Sequence, residues 1–276
     1  MTEIGGSNDG LAVSIPGRGN QAVTIAWAAA TDTGRRRAAN EDSFVASSPL
    51  FAVADGMGGH SAGDLASAAV VERLAEAIAA DFLAPRTIER ALERATADIS
   101  TIAGDSELGV GTTVTGAALT LQDDQPYFAV FNIGDSRVYS FERNELAQVT
   151  VDHSVVQELV DAGALTREEA EYHPDSNIIT RAVGFNAQPT PDFWMLPVRT
   201  GMRLLLCSDG LTKELTDARI RLHMAAGLSP TETATALIDA ALAAGGRDNI
   251  TTIVVDVIDA PEPAEIGNVA PRIRLS

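Results

Sequence analysis

Four apolar runs in this chain carry an aspartate at one end, and that repetition constrains the fold more than any other feature. Phe51-Ala-Val-Ala54 empties into Asp55-Gly-Met-Gly-Gly-His60, and Leu204-Leu-Leu-Cys-Ser208 into Asp209-Gly210. Phe128 to Ile133 leads to Gly134-Asp135-Ser-Arg137, and Arg247-Asp248-Asn249 opens the run Ile250 to Val257. A strand that stops at a glycine-rich turn holds its last side chain rigidly, and the glycines let other groups approach. One Asp-Gly pair is ordinary turn chemistry. Four strand ends that each present an aspartate predict a shared rim.

The rest of the chain supplies a scaffold for such a rim. Residues 1–21 are rich in Gly, Ser and Asn and read as a flexible leader. Val23 to Ala30 predicts a first strand, Thr31 to Asn40 a polar loop with Arg35-Arg-Arg37, and Phe44–Ala46 with Leu50–Ala54 a hairpin. Ser61 to Phe82 predicts a long helix, with Ala66, Ala69, Val70, Leu74, Ala77 and Ile78 on one face. Pro85 opens a second helix reaching about Ile102. Strands are expected at Thr112–Leu121, Tyr127–Ile133, Arg137–Phe141 and Leu146–Thr150, and again at Phe193–Leu196 and Arg203–Cys207. Between them, residues 152–190 form a polar excursion with short helical signals at Val155–Leu159 and Arg167–Glu171, a segment long enough to have its own role. Helices Ala218–Ala226 and Pro230–Ala244 precede the last strand. Residues 260–276, with three prolines, read as a disordered tail. Short connections favour antiparallel pairing. The expected fold is therefore α+β: two stacked antiparallel sheets with helices outside, in one domain spanning 22–259.

Composition narrows the function classes. Net charge is −18 over 276 residues, which argues against nucleic acid as a partner because phosphate backbones need a basic face. The single cysteine, Cys207, permits no internal disulfide and no cysteine-based zinc site. The first ten residues lack signal-peptide order and no apolar run approaches membrane-spanning length, so the expected location is the cytoplasm, with no membrane partner. Lys213 is the one lysine among twenty basic residues.

The acids Glu41, Asp42, Asp55, Asp135, Asp209 and Asp248 imply cation chemistry. Carboxylates gathered at neighbouring strand ends repel or hold protons unless a cation neutralises them. Oxygen-only ligands select Mg²⁺, Mn²⁺ or Ca²⁺ over Zn²⁺. More carboxylates than one octahedral ion needs point to two ions and a bridging water, which ionises near neutral pH and attacks phosphorus in line. A guanidinium such as Arg37 can grip two phosphate oxygens, although taken alone Arg35–Arg37 reads more readily as a solvated basic loop.

These residues also carry a resemblance. Arg37-x-x-x-Glu41-Asp42, Asp55-Gly-Met-Gly-Gly-His60, Gly111-Thr-Thr113, Gly134-Asp-Ser-Arg137, Cys207-Ser-Asp-Gly210 and Gly246-x-Asp248-Asn249-Ile-Thr resemble, in order, the motifs of bacterial type 2C metal-dependent serine/threonine protein phosphatases. The match covers about Val23 to Val257. It implies a four-layer α-β-β-α sandwich with helix pairs outside, a flap at 152–190, and a binuclear Mn²⁺ or Mg²⁺ centre. By position Asp55 matches the bridging ligand, Gly56 a carbonyl ligand, Asp209 and Asp248 further carboxylate ligands, and Glu41 a ligand acting through water. Asp135 matches a holder, with Asp209, of a third, weaker ion, and Arg37 the phosphate clamp; Arg37, Asp55 and Asp209 are thus the expected catalytic residues. Implied partners are phosphoproteins made by a serine/threonine kinase, and the expected state is a monomer. Met57 stands where animal members carry a histidine, which leaves a metal-bound water, His60 or His153 as proton donor. The rival is an inactive phosphoprotein-binding module of the same fold. A cysteine phosphatase is disfavoured because Lys213, not arginine, is the sixth residue after Cys207, and the absence of a P-loop argues separately against NTP hydrolysis by that route.

Overall fold

The structure, a computed structural model, describes residues 1–58, 62–104, 109–185 and 188–262. In chain order its elements begin with strands β1 (Glu3–Gly5), β2 (Asn8–Ser14), β3 (Ala22–Asp32), β4 (Asp42–Ser47) and β5 (Leu50–Met57), then helices α1 (Ala62–Glu76) and α2 (Pro85–Ala103). Strands β6 (Gly111–Thr112), β7 (Val114–Gln122), β8 (Gln125–Ile133), β9 (Arg137–Glu142) and β10 (Glu145–Gln148) follow. The flap carries α3 (Val155–Asp161) and α4 (Arg167–Glu171). The chain then forms β11 (Asp192–Pro197), β12 (Arg203–Cys207), α5 (Asp209–Thr212), α6 (Asp217–Met224), α7 (Pro230–Ala244) and β13 (Ile250–Asp259).

These strands make two sheets, ordered β1-β4-β5-β7-β8-β11 (with β6 on the end of β5) and β10-β9-β12-β13-β3-β2. All pairings are antiparallel except β1 with β4. Three apolar clusters separate four layers. Phe51, Val53, Phe128, Val130, Leu204, Leu206, Ile253 and Val255 fill the space between the sheets. Leu50, Ala52, Ala54 and Phe131 face α1 and α2 through Val70, Leu74 and Leu92. Leu205, Cys207 and Val254 face α6 and α7 through Ile220, Leu237 and Ile238. The strand period of two explains this partition, because successive residues of one strand enter different cores. The expected sandwich is present.

Two expectations are corrected. The leader is not a mobile tail: β2 pairs with β3, and Val13 and Ile15 are buried between the sheets. The alternation Val13-Ser-Ile15 turns two apolar side chains inward at the end of a strand that is otherwise largely exposed, Leu11 included. The long helix ends at Glu76, not Phe82. The chain turns there so that Leu83 can bury its side chain and donate its N–H to Leu119 O at 2.8 Å. The expected tail at 260–276 lies mostly outside the described residues. Among the described residues no helix is long and apolar enough to cross a membrane.

Candidate active site

The rim follows from parity. Phe51 and Val53 of β5 and Phe44 and Ala46 of β4 point between the sheets, so by the same alternation Asp55 and Asp42, which pair across the two strands, point there too. On the facing sheet Leu204, Leu206, Ile253 and Val255 define the matching parity, and it delivers Ser208 and Thr251 to the same end. Ser208 Oγ and Thr251 Oγ1 donate to Asp42 Oδ2 at 2.8 and 2.7 Å. The apolar core therefore changes at this edge into a polar one, with Asp42 fully buried and joining both sheets.

Asp55 is held through its backbone. Thr113 N–H and Thr112 Oγ1 donate to Asp55 O at 2.9 and 2.8 Å, and Asp55 N–H donates to Thr113 Oγ1 at 3.1 Å. Thr113 Oγ1 also meets Ser136 Oγ at 2.8 Å, which links the Asp55 strand to the turn carrying Asp135. Gly56 has no room for a side chain, since a Cβ there would strike the carbonyl of Gly63. That contact seats the start of α1 against the rim.

Asp209 opens α5 and Asp248 precedes β13. Asn249 organises the loop between them and Arg37: its Oδ1 accepts from Glu41 N–H at 2.9 Å, and its Nδ2 donates to Thr33 O at 2.8 Å and Ala39 O at 2.9 Å. The polar loop with Arg37 and Glu41 is thereby pinned beside Asp248. Arg37 grips Asp248 with two bonds, Nε to Oδ1 at 2.7 Å and Nη2 to Oδ2 at 2.8 Å, while remaining half-exposed. Lys213, one helical turn after Asp209, makes an ion pair with Asp209 and lies 3.9 Å from Asp248 Oδ2.

The electrostatics are those of an underneutralised cluster. Burial, then the charges of Asp42, Asp209, Asp135 and Asp248, push the Asp55 carboxyl well above the usual range. Asp135 rises to about 7, through burial and then Asp209, with Lys213 opposing. Asp42 rises to about 7 from burial, while the Thr251 and Ser208 hydroxyls pull it down and Asp209 and Asp248 push it up. Glu41 is raised as well, by burial and then Asp64. Asp42 Oδ1 and Asp209 Oδ1 are buried without a hydrogen-bond partner. An oxygen-only set with unpartnered buried oxygens and raised carboxyls suits a hard divalent cation in charge and donor type. Among the described residues no three acidic, histidine or cysteine side chains close on a common point as they stand; Asp209 and Asp248 are turned to Lys213 and Arg37.

The rim opens into a cleft of about 990 Å³ lined by Arg37, Glu41, Asp55, Gly56, Asp135, Asp209 and Asp248 on one side and by flap residues including Gln157, Arg167 and Tyr172 on the other. All of the expected site residues thus meet at one place. His153 does not reach the cleft, which corrects its candidacy as proton donor. It is buried, its Nδ1 accepts from Gly134 N–H at 3.1 Å, and its Nε2 faces Asp192 Oδ2 at 3.2 Å. Accepting at Nδ1 leaves the proton of a neutral ring on Nε2. Arg181 of the flap reaches Asp192 Oδ1 at 3.3 Å, so His153 braces the Asp135 turn against the flap. His60 lies outside the described residues. Sequence reasoning counted Asp42 among the cation-binding acids, whereas the structure makes it a buried link between the sheets; it gave no role to Asn249 or Lys213, for which the spacing of Asp248-Asn249-Ile-Thr251 and the isolation of one lysine among arginines held the only signals.

Fold and rim together define a protein phosphatase 2C. A model of that family, protein phosphatase 2C, matches residues 33–244, and the chain belongs to it. Among particular relatives, it is 40% identical to the serine/threonine protein phosphatase PstP of Mycobacterium tuberculosis over 247 residues, 86% of this chain and 46% of that protein. The chain thus spans about half the length of that relative. It is 36% identical to the serine/threonine phosphatase stp of Listeria innocua over 239 residues, 82% of this chain and 93% of the relative. The crystal structure of the catalytic domain of PstP in complex with two manganese ions matches at a TM-score of 0.76 and 38% identity, over 86% of this chain and 99% of that one.

Proposed function

We propose that this chain is a metal-dependent phosphatase that hydrolyses phosphoserine and phosphothreonine on proteins. The observation that carries the reading is the rim itself: Asp55, Asp135, Asp209 and Asp248 under an open cleft, with the carboxyls of Asp55 and Asp135 raised and an unpartnered buried oxygen on Asp209. Asp55, the Gly56 carbonyl, Asp209 and Asp248 would hold a core pair of Mn²⁺ or Mg²⁺ ions, with Glu41 acting through an intervening water. Asp135 with Asp209 would hold a third, weaker ion. When bound, the pair supplies Lewis acidity and a water that is nucleophilic near neutral pH. The chain's own residues do the rest. The strand ends fix the carboxylates, so little reorganisation is needed at the reacting centre. Arg37, at the cleft mouth, orients the phosphoryl group through paired hydrogen bonds. The cleft between rim and flap admits an extended phosphopeptide, and the flap, 152–190, selects which one.

The inactive-module reading would need a damaged ligand set, and every expected carboxylate lines the cleft. Residues 22–259, with β1 and β2 of the preceding segment completing the sheets, form the catalytic unit in this reading, acting as a monomer in the cytoplasm opposite a serine/threonine kinase; a single buried cysteine is compatible with a reducing compartment. The test is hydrolysis of a phosphothreonine peptide by the purified chain. Activity is expected with added Mn²⁺ or Mg²⁺ and is expected to stop with EDTA. Full turnover in metal-free buffer, or none with either ion, overturns the proposal.

A further inference from the structure

Lys213 is the chain's one lysine, and although its side chain is 34% exposed, its ammonium is turned onto the acids of the rim. It follows the short helix α5, whose first residue is Asp209. The four-residue spacing sets its ammonium over the Asp209 carboxylate, with Asp248 Oδ2 at 3.9 Å. Two further contacts fix that seat. Lys213 N–H donates to Asp209 O at 2.8 Å, and the next residue, Glu214, accepts from Arg247 N–H and Arg247 Nε, each at 2.9 Å. The loop carrying Asp248 is thereby tied to the end of α5. Asp135 feels the same ammonium, which opposes its burial and the Asp209 charge.

We infer that Lys213 is a tethered counter-ion of the rim, which neutralises Asp209, Asp135 and Asp248 when metal is absent and must be displaced before a cation can bind between Asp135 and Asp209. The inference rests on the metal-centre reading above and adds a competitor built into the chain. A unit charge about 4 Å from a carboxylate in a partly buried setting is strong enough to change a cation's affinity by an order of magnitude or more. Because Lys213 is anchored on the Asp209 side, the step it should affect most is the weakest one. Arg37 holds Asp248 in a similar manner through two hydrogen bonds, so Asp209 and Asp248 each already have a cation partner that an arriving metal must replace.

The experiment compares wild type, Lys213→Met and Lys213→Arg, each stripped with EDTA and then titrated with Mn²⁺ by calorimetry, with thermal melts before and after loading. For Lys213→Met the weakest Mn²⁺ step should tighten by about tenfold. Its metal-free form should melt a few degrees lower, by roughly 2–4 °C for each unit of lost stability in a domain of this size. Loading with Mn²⁺ should erase that deficit. Lys213→Arg keeps the charge and should titrate like wild type. If Lys213→Met leaves Mn²⁺ affinity and metal-free melting unchanged, the inference falls while the metal centre stands. An equal loss of melting temperature with and without Mn²⁺ also refutes it, since that marks a purely structural lysine. Wild type that takes up no Mn²⁺ overturns the metal centre and this inference together.

Discussion

Replacing Asp135 by asparagine should stabilise the metal-free protein, and more so as pH rises. Asp135 sits half-buried at the Gly134-Asp-Ser turn, and its carboxyl is raised from 3.8 to about 7 by burial and by Asp209. A raised native pKa means that the folded chain holds more protons than the unfolded one between about pH 4 and 7. Stability from this group is therefore full below pH 4 and is lost as pH climbs through 7. Roughly three units at about 1.4 kcal/mol each set a ceiling of about 4 kcal/mol on the penalty at pH 8. Because Asp135 keeps contact with solvent, screening should reduce the realised effect to about 1–2 kcal/mol. Asparagine has the same shape and cannot ionise, so it removes this penalty. At pH 5.5 only about half of the penalty is present, and the gain should shrink accordingly. The assay is urea unfolding in EDTA, followed by the fluorescence of Trp27 and Trp194. A gain of 1–2 kcal/mol corresponds to a midpoint shift of about 0.3–0.7 M for a domain of this size. An equal gain at both pH values, or a loss at pH 8, would refute the claim that Asp135 is strained by its charge.

Arg37→Ala should lower kcat/KM for a phosphopeptide by about 2–4 kcal/mol in transition-state terms, the scale of a charged hydrogen bond in a site, while calorimetry still finds the core Mn²⁺ pair; unchanged kinetics would return Arg37 to a solvated loop. Cys207→Ala should keep most activity, because Cys207 is wholly buried and burial pushes its thiol up to about 12; loss of turnover with intact circular dichroism would bring a thiol mechanism back. Exchanging 152–190 for the flap of another family member should change which phosphoprotein is accepted more than it changes hydrolysis of p-nitrophenyl phosphate, and an equal collapse of both in a folded chimera would place the flap in the catalytic core.

The sequence carried the rim and most of the scaffold for one reason: both depend on local periodicity. Apolar alternation in Phe51–Ala54 and Leu204–Cys207 marks strands, and the acids at their ends are adjacent in sequence to the glycines that expose them. What was not legible depends on pairing across the chain. Asp42 read as one more cation-binding acid beside Glu41, yet its partners are the hydroxyls of Ser208 and Thr251, 166 and 209 residues away. The leader hid β2 because composition outweighed a short alternation whose value appears only when β3 lies beside it. The single turn α5 is too short for any periodic signal, and without it nothing directs Lys213 to Asp209.

The same parity that fills the core also explains why this edge became the site. Between the sheets, every second residue of β4, β5, β12 and β13 is apolar until the last position before the turn. Substituting polar side chains there costs little packing, because the edge is open on one side to the cleft. It carries a large electrostatic cost, since like charges share one partly dry volume. The chain offsets that cost with fixed groups: hydroxyls on Asp42, paired guanidinium bonds on Asp248 and the ammonium on Asp209. Asp55 has no such group on its carboxylate and is braced instead through its backbone by Thr112 and Thr113. Its carboxyl is also pushed well above the usual range. A carboxyl raised in this way and held only through its backbone is well placed to be neutralised by an arriving dication, and the folded chain is already arranged around it.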